Sequence, residues 1–179
     1  GCAMLLGLIL ILGAGGNEAS RITAWQDPFS DPTDDGYQII QSLYAIGSGG
    51  LFGLGFGQGR QKYLYLPEEH NDYIFSIACE ELGLIGAAAI LLLYALLILR
   101  GYWISMHIRD RFLSLTVAGI TTLTALQVFF NIGVVTNLLP STGISLPFFS
   151  YGGTALLIQL GEMGIILGAS RQCSAGFLS

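Results

Sequence analysis

The chain has 179 residues, of which 53% are hydrophobic and 11% charged, and its formal net charge is −5. A soluble domain carries about 25% charged residues, so this composition excludes an ordinary aqueous domain, and the acidic balance excludes a basic nucleic-acid-binding surface. The class that remains is an all-α polytopic membrane protein, a helix bundle with room for a few spans of about 20 residues each.

In chain order, the apolar run 1–13 reads as a truncated first span, without the basic residues of a signal peptide ahead of it. An exterior loop follows over 14–72, with eight acids against Arg21, Arg60 and Lys62. A loop this long is commonly functional. Within it, Tyr37 to Ile46 places Ile39, Ile40, Leu43 and Ile46 at helical spacing, with Gln38, Gln41 and Ser42 opposite. That pattern predicts a short amphipathic helix, lying either on the membrane surface or on the outer end of the bundle.

The run 47–62, GSGGLFGLGFGQGRQK, has neither the GxxxxGK[ST] spacing of a phosphate loop nor a GxGxxG fingerprint. Its glycines allow close backbone approach and positive φ. Arg60 and Lys62 could face a phosphate at the membrane surface, or simply snorkel from a flexible turn. In 63–75, YLYLPEEHNDYIF, the groups Glu68, Glu69, His70 and Asp72 crowd the mouth of the next span among aromatic residues. Such a boundary can perturb carboxylates toward general-base work, and Asp72 lies deepest. The alternative is structural, with Asn71 or Asp72 capping the helix that follows.

Spans are predicted over 73–99, 112–135 and 154–170, joined by a link at 100–111 and a loop at 136–153, with a tail at 171–179. The link carries Arg100, Arg109 and Arg111 against Asp110. By the positive-inside rule it is cytoplasmic, which puts the acidic loop and the 136–153 loop outside. Glu80 and Glu81 are costly inside a span unless at least one faces the bundle interior. Thr121, Thr122, Thr124, Gln127, Asn131, Gln159 and Glu162 likewise predict helix–helix faces. Gly83, Gly86 and the Gly164–Gly168 pair suggest close helix packing. The loop NLLPSTGISLPFFSYGG (137–153) contains two prolines and three glycines, so its backbone must be buried in protein or line a water-filled cavity. The three cysteines, Cys2, Cys79 and Cys173, show neither CxxC spacing nor a nearby histidine cluster, and read as small buried hydrophobes.

Two segments, GYQIIQSLYAIGSGGLFGLGFGQGRQKYLYLPEEHNDYIFSIACEELGLIG (36–86) and NLLPSTGISLPFFSYGG (137–153), together with the spans between them, resemble the C-terminal half of the SEDS (RodA/FtsW/SpoVE) family of bacterial membrane proteins. The pattern looks closer to the division and sporulation branches than to the elongation branch. The resemblance implies a peptidoglycan glycosyltransferase that polymerises lipid II on the outer face of the cytoplasmic membrane, including the septum. A class B penicillin-binding protein would be its partner, membrane lipid its surroundings, and nucleic acid no part of its function. It also implies Asp72 as the catalytic base. Substrate contacts would come from Lys62, Arg60, Glu68 and His70, and from Pro140, Thr142, Gly143, Ser150, Gly152 and Gly153 of the second loop. No metal ligands are implied, and a divalent cation is the one cofactor candidate. The chain departs from the family pattern at Asn71, Tyr73, Ser141 and Ser145, and the expected arginines before Trp25 are reduced to Arg21. As part of a larger bundle, the chain alone is expected to be inactive. The competing functions are transport of a lipid-linked precursor and non-catalytic scaffolding of a transpeptidase.

Overall fold

The computed structural model describes residues 22, 25–29, 35–55, 73–149 and 152–175. The proposed first span lies outside these residues. The described residues form four helices in order: α1 (Asp35–Gly49), α2 (Ile74–His107), α3 (Arg111–Val135) and α4 (Gly153–Ala175). The last three are long and apolar enough to cross a membrane. Their outward faces carry large apolar side chains, among them Leu92, Leu93, Leu99, Leu115, Phe129, Leu157 and Leu167. In water such a surface would drive aggregation, whereas in a bilayer it can face lipid or neighbouring helices.

The three spans alternate in direction, so each of their two ends gathers its own apolar cluster. The end bearing α1, called outer here after the charge reading, unites Tyr73, Phe75, Cys79, Ala87, Tyr94, Val128, Val134, Val135 and Leu146. The other end packs Ile104 and Val117 against Ile166 and Ala169. Of the polar side chains expected on helix–helix faces, Thr121, Thr124, Asn131 and Gln159 are buried, Gln127 and Glu162 half-buried, and Thr122 exposed. Thr121, Thr124 and Asn131 are at most 2% exposed. The two threonine hydroxyls donate to Val117 O and Ile120 O one turn back, which satisfies them without a partner helix.

The helix α2 differs from the predicted 73–99 span in two ways. It runs on through Arg100 to His107, so the basic link is mostly helix and only 108–110 turns the chain. It is also broken at Gly83, whose φ of 69° and ψ of −171° are not helical. Such a conformation is essentially restricted to glycine. The remainder, 84–107, is about 36 Å long and spans a hydrocarbon core of about 30 Å by itself. Glu80 and Glu81 therefore end a short outer segment rather than sitting inside a continuous span.

At the crossing of α2 and α3, a Cβ on Gly101 would lie 2.4 Å from Thr121 Oγ1 and 2.8 Å from its Cγ2. Gly101→Leu should therefore push the helices apart at a cost of about 1–3 kcal/mol, read as a lower thermal midpoint of the purified full-length protein. Gly164 and Gly168 have nothing within 4 Å of a notional Cβ, so among the described residues the packing face expected of them is uncovered.

The α1 helix resolves the choice left open above. It lies on the outer end of the bundle, packed against α2 and touching α3. Its buried face is Gly36, Ile39, Ser42, Ala45 and Gly49, with Ile46 packed beside it, so part of the apolar stripe faces inward while Leu43 does not. Small side chains at this spacing let backbones approach closely, whereas Leu43 and Tyr44 point away and are 40% and 59% exposed. Ser42 Oγ donates to Val135 O at 2.9 Å, tying α1 to the last turn of α3.

Candidate functional site at the outer end of the bundle

Three pieces of non-helical backbone meet the outer end: the turn after α1, the start and break of α2, and the loop between α3 and α4. Helix α2 begins at Ile74, and Tyr73 occupies the N-cap position without a side-chain cap bond. The Tyr73 carbonyl instead accepts from Ser76 N at 3.0 Å and Ser76 Oγ at 2.6 Å. The N-cap position of α2 thus belongs to Tyr73. Asp72 itself lies outside the described residues, as do Arg60, Lys62, Glu68, His70 and Ser150.

The glycine-rich run serves the break in α2. Interrupting a helix strands carbonyls on one side and N–H groups on the other, and in a bilayer these must find partners in the protein. The turn 49–55 supplies them. Leu54 N donates to Glu80 O at 3.0 Å and Gly55 N to Glu81 O at 3.1 Å, while Leu84 N reaches Gly50 O at 2.9 Å and Ile85 N reaches Leu51 O at 3.3 Å. This clasp requires backbone against backbone. A Cβ on Gly49 would lie 2.1 Å from Cys79 O, and one on Gly53 2.2 Å from Glu81 O. Gly50, Gly53 and Gly55 have positive φ. Through Gly55, then, the run is an ordered clasp and not the flexible turn that was one reading of it.

Buried beside the clasp is Glu80, 2% exposed. Its neighbour Glu81 has a buried Oε1 with no hydrogen bond among the described residues. The expectation that at least one of this pair faces the interior is met by Glu80. Cys79, also buried, is a free thiol. No three His, Cys, Asp or Glu side chains among the described residues are grouped to hold a metal ion.

The loop after α3 folds back into the bundle end, its backbone groups held by side chains of all three spans. Asn131 Nδ2 on α3 donates to Ile144 O at 2.9 Å. Gln159 Oε1 on α4 accepts from Phe148 N at 2.8 Å. The Tyr94 hydroxyl on α2 donates to Pro147 O. From the long exterior loop, Trp25 Nε1 donates to Asn137 O at 3.1 Å. Leu146 and Pro147 are fully buried, and Asn137, Gly143 and Phe148 adopt positive φ to make the bends. Of the two alternatives for this backbone, burial in protein holds for Leu146 and Pro147 and the groups held by Asn131, Gln159 and Tyr94, while 142–143 is open to solvent.

Of the predicted contact residues on this loop, Thr142, Gly143 and Gly153 are exposed, and Pro140 and Gly152 half-buried. Among the predicted contact residues, the accessible ones are therefore the 142–143 tip and the start of α4, while Leu138 and Phe149 are also exposed. Sequence reasoning placed Asn131 and Gln159 in the bundle but missed that their partner is this loop's backbone. It missed the Tyr94 and Trp25 anchors altogether, since a tyrosine or tryptophan among apolar residues carries no signal of what its polar atom meets. Asn131→Ala should leave Ile144 O without its donor and cost about 1–3 kcal/mol. The expected readout is faster hydrogen exchange across 138–149, with the central turns of α2 and α3 unchanged.

The family of cell cycle proteins that includes FtsW, RodA and SpoVE matches residues 2–175 of this chain. Stage V sporulation protein E of Bacillus subtilis is 50% identical over 174 residues, covering 94% of this chain and 48% of that protein. The probable peptidoglycan glycosyltransferase FtsW of Geobacter metallireducens is 48% identical over 152 residues, covering 85% of this chain and 40% of that protein. Among solved structures, a chain of a peptidoglycan synthase complex matches with a TM-score of 0.72 and 29% identity over 95% of this chain and 46% of its own length. This chain thus spans about half the length of such relatives, or less. The described fold, the two motif-bearing segments and these similarities agree: the chain belongs to the FtsW/RodA/SpoVE family of membrane proteins.

Proposed function

We propose that the full-length protein is a peptidoglycan glycosyltransferase that polymerises lipid II into glycan strands at the outer face of the bacterial cytoplasmic membrane. The carrying observation is the 48% identity to a protein named as a probable peptidoglycan glycosyltransferase, over a match that takes in most of this chain. Names of the relatives that refer to FtsW and to sporulation support a role in division or sporulation, at the septum. Asp72 acts as general base. It takes the proton from the acceptor sugar hydroxyl as that oxygen attacks the donor anomeric carbon, and polyprenyl pyrophosphate leaves. Lys62, with Arg60, offsets charge developing on the pyrophosphate. Glu68, His70 and Ser150 contact the substrate, together with the exposed tip of the 136–153 loop. A class B penicillin-binding protein, the transpeptidase partner, docks on the outward faces of α2 and α3 and on the long loop.

Transport of the same lipid calls for helix breaks in paired spans near the bilayer midplane. Here the break at Gly83 lies toward the outer end of α2, which favours surface chemistry over passage. Purified full-length protein with its transpeptidase partner, reconstituted with labelled lipid II, is expected to yield a ladder of glycan polymer. Lipid II crossing the vesicle membrane without polymer would replace this reading by transport. Neither polymer nor movement from folded, partner-bound protein would leave scaffolding.

A further inference from the structure

At the opposite end of the bundle, the last turns of α2 and the turn into α3 carry an exposed cationic group that the chemistry of the outer end does not use. Arg100, Trp103 and His107 fall at i, i+3 and i+7, on one face of the helix. The Arg100 Cζ lies 4.4 Å from the centroid of the Trp103 ring. On the same residue's indole, the His107 imidazole stacks at 4.2 Å between centroids and 25° between planes. His107 Nδ1 lies 2.8 Å from Trp103 O, a carbonyl that can only accept, so Nδ1 donates and the ring is fixed with Nε2 free to face outward. Arg109 and Arg111, both exposed, flank the turn immediately beyond.

The single carboxylate of the turn is otherwise engaged. Asp110 Oδ1 accepts from Phe112 N at 3.1 Å as the N-cap of α3. Measured from Gly83, Arg100 lies about 25 Å along α2 and His107 about 36 Å. A hydrocarbon core of about 30 Å beginning at the Gly83 break would end between them, which would put Trp103 at the headgroup boundary, where tryptophan is enriched. Arg100 starts inside the apolar layer and must extend along the helix toward the headgroups, a path its contact with the Trp103 face defines.

Arginines scattered in a cytoplasmic link need no ligand, since orientation alone accounts for them. This group differs in its geometry: the Arg100 guanidinium and the His107 imidazole both lie against the Trp103 indole, and the exposed Arg109 and Arg111 follow in the adjoining turn. Guanidinium groups match phosphate oxygens in bidentate fashion. We propose that the inner end of α2 and the α2–α3 turn form a binding site for the phosphate headgroup of an anionic phospholipid, held by Arg100, Arg109 and Arg111, with Trp103 as its floor.

Trp103 is also the reporter. Full-length protein is placed in nanodiscs containing either brominated phosphatidylglycerol or brominated phosphatidylcholine at equal mole fraction, and the Trp103 signal is isolated by subtraction of Trp103→Phe. The expected result is a preference for the anionic lipid in quenching, of about fivefold for each contributing arginine. The preference should vanish in Arg100→Gln/Arg109→Gln/Arg111→Gln. Arg109→Gln alone, in an exposed turn, should lose part of it and guards against misfolding of the triple variant. Excess inorganic phosphate should leave the preference in place, and its abolition by phosphate would show a site for a free anion and overturn the lipid assignment. Equal quenching by the two lipids in the unsubstituted protein, or a preference unchanged in the folded Arg109→Gln and triple variants, would overturn the proposal.

Discussion

Asp72→Asn in the full-length protein should reduce glycan polymer by about 10²- to 10⁴-fold, the usual contribution of a positioned general base, while yield, membrane insertion and partner binding stay as they were. The substitution keeps the size and hydrogen-bonding reach of the side chain and removes its ability to take a proton. Stability should be little affected, because the cap position of α2 belongs to Tyr73 and the first-turn bonds run from Ser76 to the Tyr73 carbonyl. Polymer at the unsubstituted rate from Asp72→Asn would remove the base assignment. Loss of folded protein together with polymer would return Asp72 to a structural role.

Gly53→Ala should have the largest effect on folding. The added Cβ would fall 2.2 Å from Glu81 O, 2.6 Å from Glu81 C and 2.7 Å from Gly83 N, all of them backbone, at a position with φ of 77°. None of these atoms can swing aside as a side-chain tip would. Relief requires the turn 49–55 to lift from the break in α2, which parts Leu54 N from Glu80 O and Gly55 N from Glu81 O at the membrane boundary. Unpaired polar backbone in an apolar setting is expensive, and with the strain of a non-glycine residue at this φ the cost should be about 3 kcal/mol or more. The purified protein should show a much lower thermal midpoint or fail to accumulate. Gly47→Ala is the control: nothing lies within 4 Å of its Cβ and its φ is unstrained. In the body of α1 it should raise stability by about 0.5–1 kcal/mol. Equal midpoints for the two variants would contradict the clasp.

The spans were legible because an apolar run of sufficient length admits little else in a chain this poor in charge. The break in α2 was not, because hydropathy treats Gly83 as one more apolar position. Its φ and ψ are set by a turn some thirty residues earlier, a contact that no local window contains. The packing face of α1 was only partly legible for a related reason: Ile39 and Ile46 pack inward as expected, but Leu43 does not. Periodicity picks out large apolar side chains, but this helix approaches its neighbour through Ser42, Ala45 and Gly49, where smallness decides the contact, and leaves Leu43 outward. The second loop was legible as irregular backbone, since prolines and glycines cannot continue a helix, but not which of its groups are buried in protein and which are open.

Half of the candidate site was legible by a different route. Crowded ionisable groups at a span mouth single out the region around Asp72, but chemistry alone left a base and a cap as rivals, and the family resemblance favoured the base. The helix start at Ile74 now assigns the cap position to Tyr73, which weakens the rival without locating the carboxylate. The loop residues divide by exposure into an accessible tip at Thr142 and Gly143 and an anchored base at Leu146 and Pro147, a distinction composition could not make.

On the proposed function, glycan is polymerised at the end of the bundle where the clasp, the start of α2 and the 136–153 loop converge. This placement is tested most directly in sealed vesicles containing the full-length protein, its transpeptidase partner and lipid II, with the orientation of the protein read from an impermeant maleimide on exposed Ser48→Cys in a background cleared of other reactive cysteines. Polymer sensitive to muramidase added on the side where position 48 is labelled is the expected result. Polymer confined to the side of the α2–α3 turn, or none from correctly folded protein, would contradict it.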